Sequence, residues 1–173
     1  MLAITGTPGV GKTTVARILE KRGYRVGSVN MIAEKYGCVD EEEGELVVED
    51  IEKLKESFSE DLDFIEGHLS HYFADRCVVL RCNPLVLKER LQSKGWDKEK
   101  ILENLEAELI DQILVEALDI CSEVHEIDTT GMTPEEVADL IEKIYHGELK
   151  LGYGRVDWIS AIGDKIDEII RKA

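Results

Sequence analysis

Lys12 and Thr13 close the run Gly6-Thr7-Pro8-Gly9-Val10-Gly11-Lys12-Thr13-Thr14, which matches G-x-x-x-x-G-K-[ST] at every fixed position. Residue types at that spacing serve polyphosphate chemistry. The glycines let backbone N–H groups turn inward and approach phosphate closely. Lys12 would reach the outer phosphates, where charge shifts during transfer. Thr13 would place its hydroxyl on a Mg²⁺ that bridges the same phosphates.

Other candidates lie further along the chain. Glu66 ends an apolar run, the position where a phosphate-loop enzyme keeps a second acid on Mg²⁺ or its water. His68 lies two residues on, placed either to orient a water or phosphate oxygen or to sit on the surface of a turn. His71 shares its face at three-residue spacing, yet the pair is weak evidence for a metal, and none beyond Mg²⁺ is expected. Arg90 and Lys94 are four apart on one helix and precede Gly95-Trp96, a hinge signal. Two cations there would close over phosphates as a lid and exclude water, or would be solvated helix charges. Trp96 reads as a packing anchor. Asp128-Thr129-Thr130-Gly131 either borders a base or is a plain loop. No N-K-x-D stretch occurs, which argues against a guanine switch.

These residues need a frame. Short apolar runs at 1–5, 25–29, 62–66, 77–82 and 123–127 read as strands, and helical patterns alternate with them. Val15 to Lys21 reads as a helix after the loop. Asn30 is placed to cap a helix over 31–36, the acidic run 40–45 reads as a loop, and 46–58 reads as a helix. Asn83-Pro84 starts a helix that stops at Gly95. Asp97 caps the longest helix, striped by Ile101, Leu105, Leu109, Ile113 and Ala117. Thr133 and Glu136 form a capping box. A last amphipathic helix spans about 156–171. Alternation of this kind means a parallel sheet with helices on both faces, and a site at the carboxyl ends of its strands.

With 173 residues the chain is expected to be one domain able to bury a core. No apolar run approaches the length of a membrane span, and the immediate first strand leaves no room for a signal peptide. Cys38, Cys77, Cys82 and Cys121 form no C-x-x-C pair and read as reduced residues of a cytoplasmic protein. The formal net charge of −16 argues against unaided nucleic-acid binding and suits a basic protein partner.

Taken together, the segments resemble the adenylate kinase isoenzyme six family, a small nucleoside monophosphate kinase and ATPase of archaea and eukaryotes. The resemblance rests on G-T-P-G-V-G-K-T-T at 6–14, I-E-G-H at 65–68, V-V-L-R at 78–81, L-K-E-R-L-Q-S-K-G-W at 87–96 and N-L-E-A-E-L-I at 104–110. It covers roughly residues 1 to 146. It implies an α/β P-loop NTPase sandwich around a five-stranded parallel sheet, adenylate-kinase-like. It implies phosphoryl transfer from ATP to AMP or another monophosphate, and ATP hydrolysis. It also implies a role in late small-subunit ribosome maturation and pre-rRNA processing, through transient binding of a basic small-subunit ribosomal protein. By position, Gly9, Gly11, Lys12, Thr13 and Thr14 would bind ATP, with Glu66 and His68 on the acid-x-His motif linked to hydrolysis. Residues 28–51 would be the monophosphate-binding segment and 93–103 the lid. Three departures stand out: Glu66 replaces an Asp, Lys94 replaces a common Arg, and the monophosphate segment has no arginine, with Lys35 its only cation. The helix over 156–173 lies outside the resemblance. Two other readings fit the loop: a nucleotide-switched assembly ATPase with little kinase activity, and a kinase for another small acceptor such as shikimate or a nucleoside.

Overall fold

The computed structural model describes residues 1–37, 39–42, 45–48 and 51–170. Cys38, Glu43, Gly44 and Arg171, each part of an expectation above, lie outside the described residues. The central sheet is built from β1 (Leu2–Thr5), β2 (Val26–Ser28), β5 (Phe64–Glu66), β6 (Arg76–Arg81) and β7 (Glu123–Asp128), in the order β2-β5-β1-β6-β7. Every neighbouring pair in it is parallel.

Side chains alternate across such a sheet, and both faces are apolar. Leu2, Ile4, Val78 and Leu80 enter one core, while Ala3, Cys77 and Val79 enter the other. The first core is closed by α1 (Lys12–Lys21), α4 (Pro84–Ser93), α5 (Lys98–Leu109), α7 (Pro134–Tyr145), α8 (Trp158–Ile162) and α9 (Ile166–Ile170). The second is closed by α2 (Val29–Lys35), α3 (Ile51–Ser57) and α6 (Gln112–Ile120). The C-terminal segment therefore belongs to the core, through Trp158, Ile162 and Ile169. Among the described residues no helix is long and apolar enough to cross a membrane.

Register brings the site together. Ser28 and Ile4 both pair with Glu66, Thr5 pairs with Val79, and Arg81 pairs with Asp128. The phosphate loop thus leaves β1 in mid-sheet, between the ends of β5 and β6, where the chain's winding switches direction.

Three helix starts form as their residues dictate. Asn83 accepts from Leu85 N with proline in the first turn, and Asp97 accepts from Lys100 N. Thr133 and Glu136 make both bonds of the capping box.

Five expectations need correction. The described part of the acidic run is paired strand and not loop, β3 (Val39–Glu42) running antiparallel to β4 (Glu45–Val48), and the helix expected over 46–58 is described over Ile51–Ser57. Carboxylate density reports solvation, while Val39, Val47 and Val48 carry the strand preference. The helix expected from Met31 begins at Val29, which places Asn30 inside it and not at its cap. The long helix breaks between α5 and α6, where Asp111 adopts φ 59° and its carboxylate meets Arg81. The last helix is divided by a 3-10 turn over Gly163–Lys165, with Gly163 at φ 55°.

Candidate functional site

The loop's shape depends on two of its glycines. Gly6 has φ 138°, and a Cβ there would lie 2.4 Å from the Leu80 carbonyl oxygen. Gly9 has φ 93°, and a Cβ would press within 2.9 Å of both Leu87 and Leu91. Side chains at either position would force the loop off the sheet edge.

Lys12 is buried and curls back over the loop, its Nζ donating to Gly6 O at 2.6 Å and Thr7 O at 3.0 Å. Burial lowers its pKa to about 8, against the opposing pull of the Glu66 and Glu108 carboxylates. Thr13 and Thr14 stand exposed in the first turn of α1, whose positive end faces the same space.

Glu66 is buried at the end of β5, and the turn that follows is stitched to β1. Gly67 N and Ser70 Oγ both donate to Ile4 O, at 3.2 and 2.9 Å, and Thr5 Oγ1 donates to His68 O at 3.1 Å. His68 and His71 do not act as a pair. His68 lines the cleft, whereas His71 is fully buried, with Nδ1 at 2.9 Å from Thr5 Oγ1. Burial pushes the His71 pKa down to about 4, so it is a neutral structural residue at pH 7.

One cleft of about 970 Å³ joins these parts. Its walls include the loop, Ser28 and Asn30 from the β2–α2 junction, Glu66 to His68, the α4–α5 hairpin, and Thr129, Met132, Pro134 and Val137. The last three line it with apolar side chains beside the loop that follows β7. Among the described residues the cations lining the cleft are Lys12, Arg90, Lys94 and Lys100. Arg90 Nη1 lies 3.5 Å from Gly9 O. Lys100, not singled out in the sequence, has its Nζ 5.0 Å from the centre of the Trp96 ring. Trp96 is both a packing anchor and part of the cleft wall. Lys35 is turned away, its Nζ bonded to Glu60 at 2.6 Å.

Sequence reasoning missed a buried polar cluster behind the loop. Glu108 is 3% exposed and accepts from Thr7 Oγ1 at 2.6 Å, Arg81 Nε at 2.8 Å, Cys82 N at 3.1 Å and Trp158 Nε1 at 2.9 Å. Arg81 is 1% exposed and also meets Glu126, at 2.6 Å, and Asp111. Thr129 Oγ1 donates towards Val10 O at 3.2 Å and Arg81 O at 2.9 Å. The available signals were an arginine at the end of a central strand and an acid three residues beyond Leu105 on an apolar helix stripe. Neither is distinctive without the fold.

Fold and loop together define a phosphate-loop nucleotide-binding protein of the layered α/β class. Residues 2–111 match the family described as AAA domain. A protein of Archaeoglobus fulgidus named "Putative adenylate kinase" is 51% identical, with 99% of each chain covered. One of the same name from Thermococcus kodakarensis is 44% identical, again over 99% of each. The chain belongs to the AAA domain family and to the adenylate-kinase-like group these relatives make up. Among solved structures, the shikimate kinase of Acinetobacter baumannii in complex with shikimate superimposes with TM-score 0.54 at 18% identity, covering 86% of this chain and 94% of that one. The shikimate kinase of Bacteroides thetaiotaomicron gives 0.51 at 17%, covering 84% and 97%. At such identities the likeness is one of fold.

Proposed function

We propose that the protein is a nucleoside monophosphate kinase that moves the terminal phosphate of ATP to AMP or a related monophosphate. The observation that carries this is the single cleft in which the phosphate loop, Glu66, His68 and three hairpin cations converge. ATP would lie with its phosphates on Gly9, Gly11, Lys12, Thr13 and Thr14 and its base against Met132, Pro134 and Val137. The acceptor would enter on the side of Ser28, Asn30 and Gly67. Lys35 is held by Glu60, so the cations facing the acceptor phosphate are those of the α4–α5 hairpin, Arg90 and Lys94 with Lys100 beside them. Lys12 and these groups stabilise charge on the transferring phosphoryl group, and no protein base is required.

The residues fit Mg²⁺. Thr13 and Glu66 are oxygen donors on one cleft, and among the described residues no cluster of three or more His, Cys, Asp or Glu offers a complete metal cage. An ion bound by few protein oxygens and completed by phosphate and water is the usual Mg²⁺ arrangement. When bound it would neutralise charge between the outer phosphates.

The finer assignment is to the isoenzyme six group, with ATP hydrolysis at the same site and a part in small-subunit ribosome maturation in the cytoplasm. The matching segments support it, and the charge of −16 suits a basic ribosomal protein as partner. In hydrolysis His68 would orient the attacking water. Equal affinity for that partner in the ATP and ADP states would contradict a nucleotide switch.

The test is product chromatography with ATP, Mg²⁺ and each monophosphate in turn. ADP formation should depend on AMP and fall at least about a hundredfold in Lys12→Ala. ADP formation indifferent to every monophosphate would end the kinase reading.

A further inference from the structure

The Glu108 carboxylate divides its work between its two oxygens. Oε1 accepts from Arg81 Nε, Cys82 N and Trp158 Nε1, at 2.8, 3.1 and 2.9 Å. Oε2 accepts from Thr7 Oγ1 at 2.6 Å. Three donors from β6, the residue after it and α8 therefore fix the carboxylate, and the fourth bond passes that position to the phosphate loop. Thr7 is 1% exposed, and its hydroxyl is turned onto Glu108. Its carbonyl oxygen is one of the two that hold Lys12 Nζ.

The C-terminal segment is anchored independently of Trp158. Glu126 Oε2 accepts from Gly154 N at 3.0 Å and Arg155 N at 3.3 Å, while its Oε1 binds Arg81. Arg81 lies between the two acids, so the strap over 152–158 and the loop share one buried ionic cluster. This cluster reaches past residue 111, where the family match ends.

We infer that Glu108 is a positioning residue, which sets the conformation of the phosphate loop through Thr7 and makes that conformation depend on Trp158 in the C-terminal segment. The inference rests on the loop being the donor-phosphate site of the proposed kinase. A buried hydrogen bond to a charged group is strong enough to matter, and its loss leaves an unpaired carboxylate oxygen. The carboxylate would then move towards its remaining donors, and the loop would lose its rear support.

Calorimetric titration of the full chain with Mg-ATP tests this. Thr7→Val deletes the hydroxyl at constant volume and should weaken ATP binding about tenfold, while Thr7→Ser should remain within about twofold of wild type. Trp158→Phe removes only the indole donor and should weaken binding about threefold. The double variant Thr7→Val/Trp158→Phe should bind like Thr7→Val alone, because the link is already cut. Additive losses would overturn the connection through Glu108. Lower melting temperatures with ATP affinity unchanged would overturn the positioning role and leave a purely structural one. The readout is ATP binding, so a protein that binds ATP but phosphorylates no nucleoside monophosphate would end the kinase reading without touching this one.

Discussion

Lys12 is held between two demands. Its ammonium must be desolvated to sit in the loop, and burial lowers its pKa from 10.5 to about 8. Between those values the unfolded chain holds more protons than the folded one, so this group makes the ligand-free protein more stable as pH rises from 8 towards 10.5. Lys12→Met should flatten that part of the stability curve, as denaturant titrations at several pH values would show. Phosphate oxygens reverse the sign by favouring the charged amine. ATP binding should therefore take up a proton and weaken above pH 8, which calorimetry in buffers of different ionisation enthalpy would detect. Arg90 lines the same cleft as Lys12. Arg90→Ala should lower kcat about ten- to a hundredfold with a smaller change in KM for ATP, and Arg90→Lys should recover part of it. At this scale the sequence was legible where a pattern has fixed spacing. Lys12 and Thr13 could be placed directly on a phosphate-loop turn and Glu66 and His68 at a strand end, and all four line the cleft. Glu108, Arg81 and Thr129 could not, because their roles come from bonds spanning 26 to 119 residues.

The elements follow local rules wherever those rules are unopposed. Thr133 caps α7 with a reciprocal Glu136 bond. Thr133→Ala should cost about 1 kcal/mol and lower the melting temperature by about 2–4 °C, readable in a thermal scan. The α5–α6 boundary shows the opposite case. The apolar stripe from Ile101 to Ala117 runs straight through it, yet Asp111 turns left-handed and gives its carboxylate to Arg81. A buried arginine with three acidic partners outweighs the continuity of one helix. The same break places Gln112 and Ile113 on the cleft wall. The β3–β4 pair was hidden for another reason: its strands are rich in acids, and pairing of backbone groups leaves no composition signal.

Across the whole molecule, the five-stranded sheet with its two apolar faces carries the site at the carboxyl ends of its strands. Its strand pattern was legible because five short apolar runs alternate with helices. The last helices were legible only as amphipathic, and nothing in them announced that Trp158 reaches Glu108 behind the loop. Because Trp158, Ile162 and Ile169 lie in the main core, the C-terminal segment should unfold with the rest. In a Trp96→Phe background, Trp158 emission and far-ultraviolet circular dichroism should melt together, and an earlier transition in emission would contradict this. The central claim is phosphoryl transfer between two nucleotides in one cleft. The most direct measurement follows the label from ATP carrying ³²P in its terminal phosphate, mixed with AMP and Mg²⁺. The label should appear in the β-phosphate of newly formed ADP. Label released as free phosphate at the same rate with and without AMP would contradict the account.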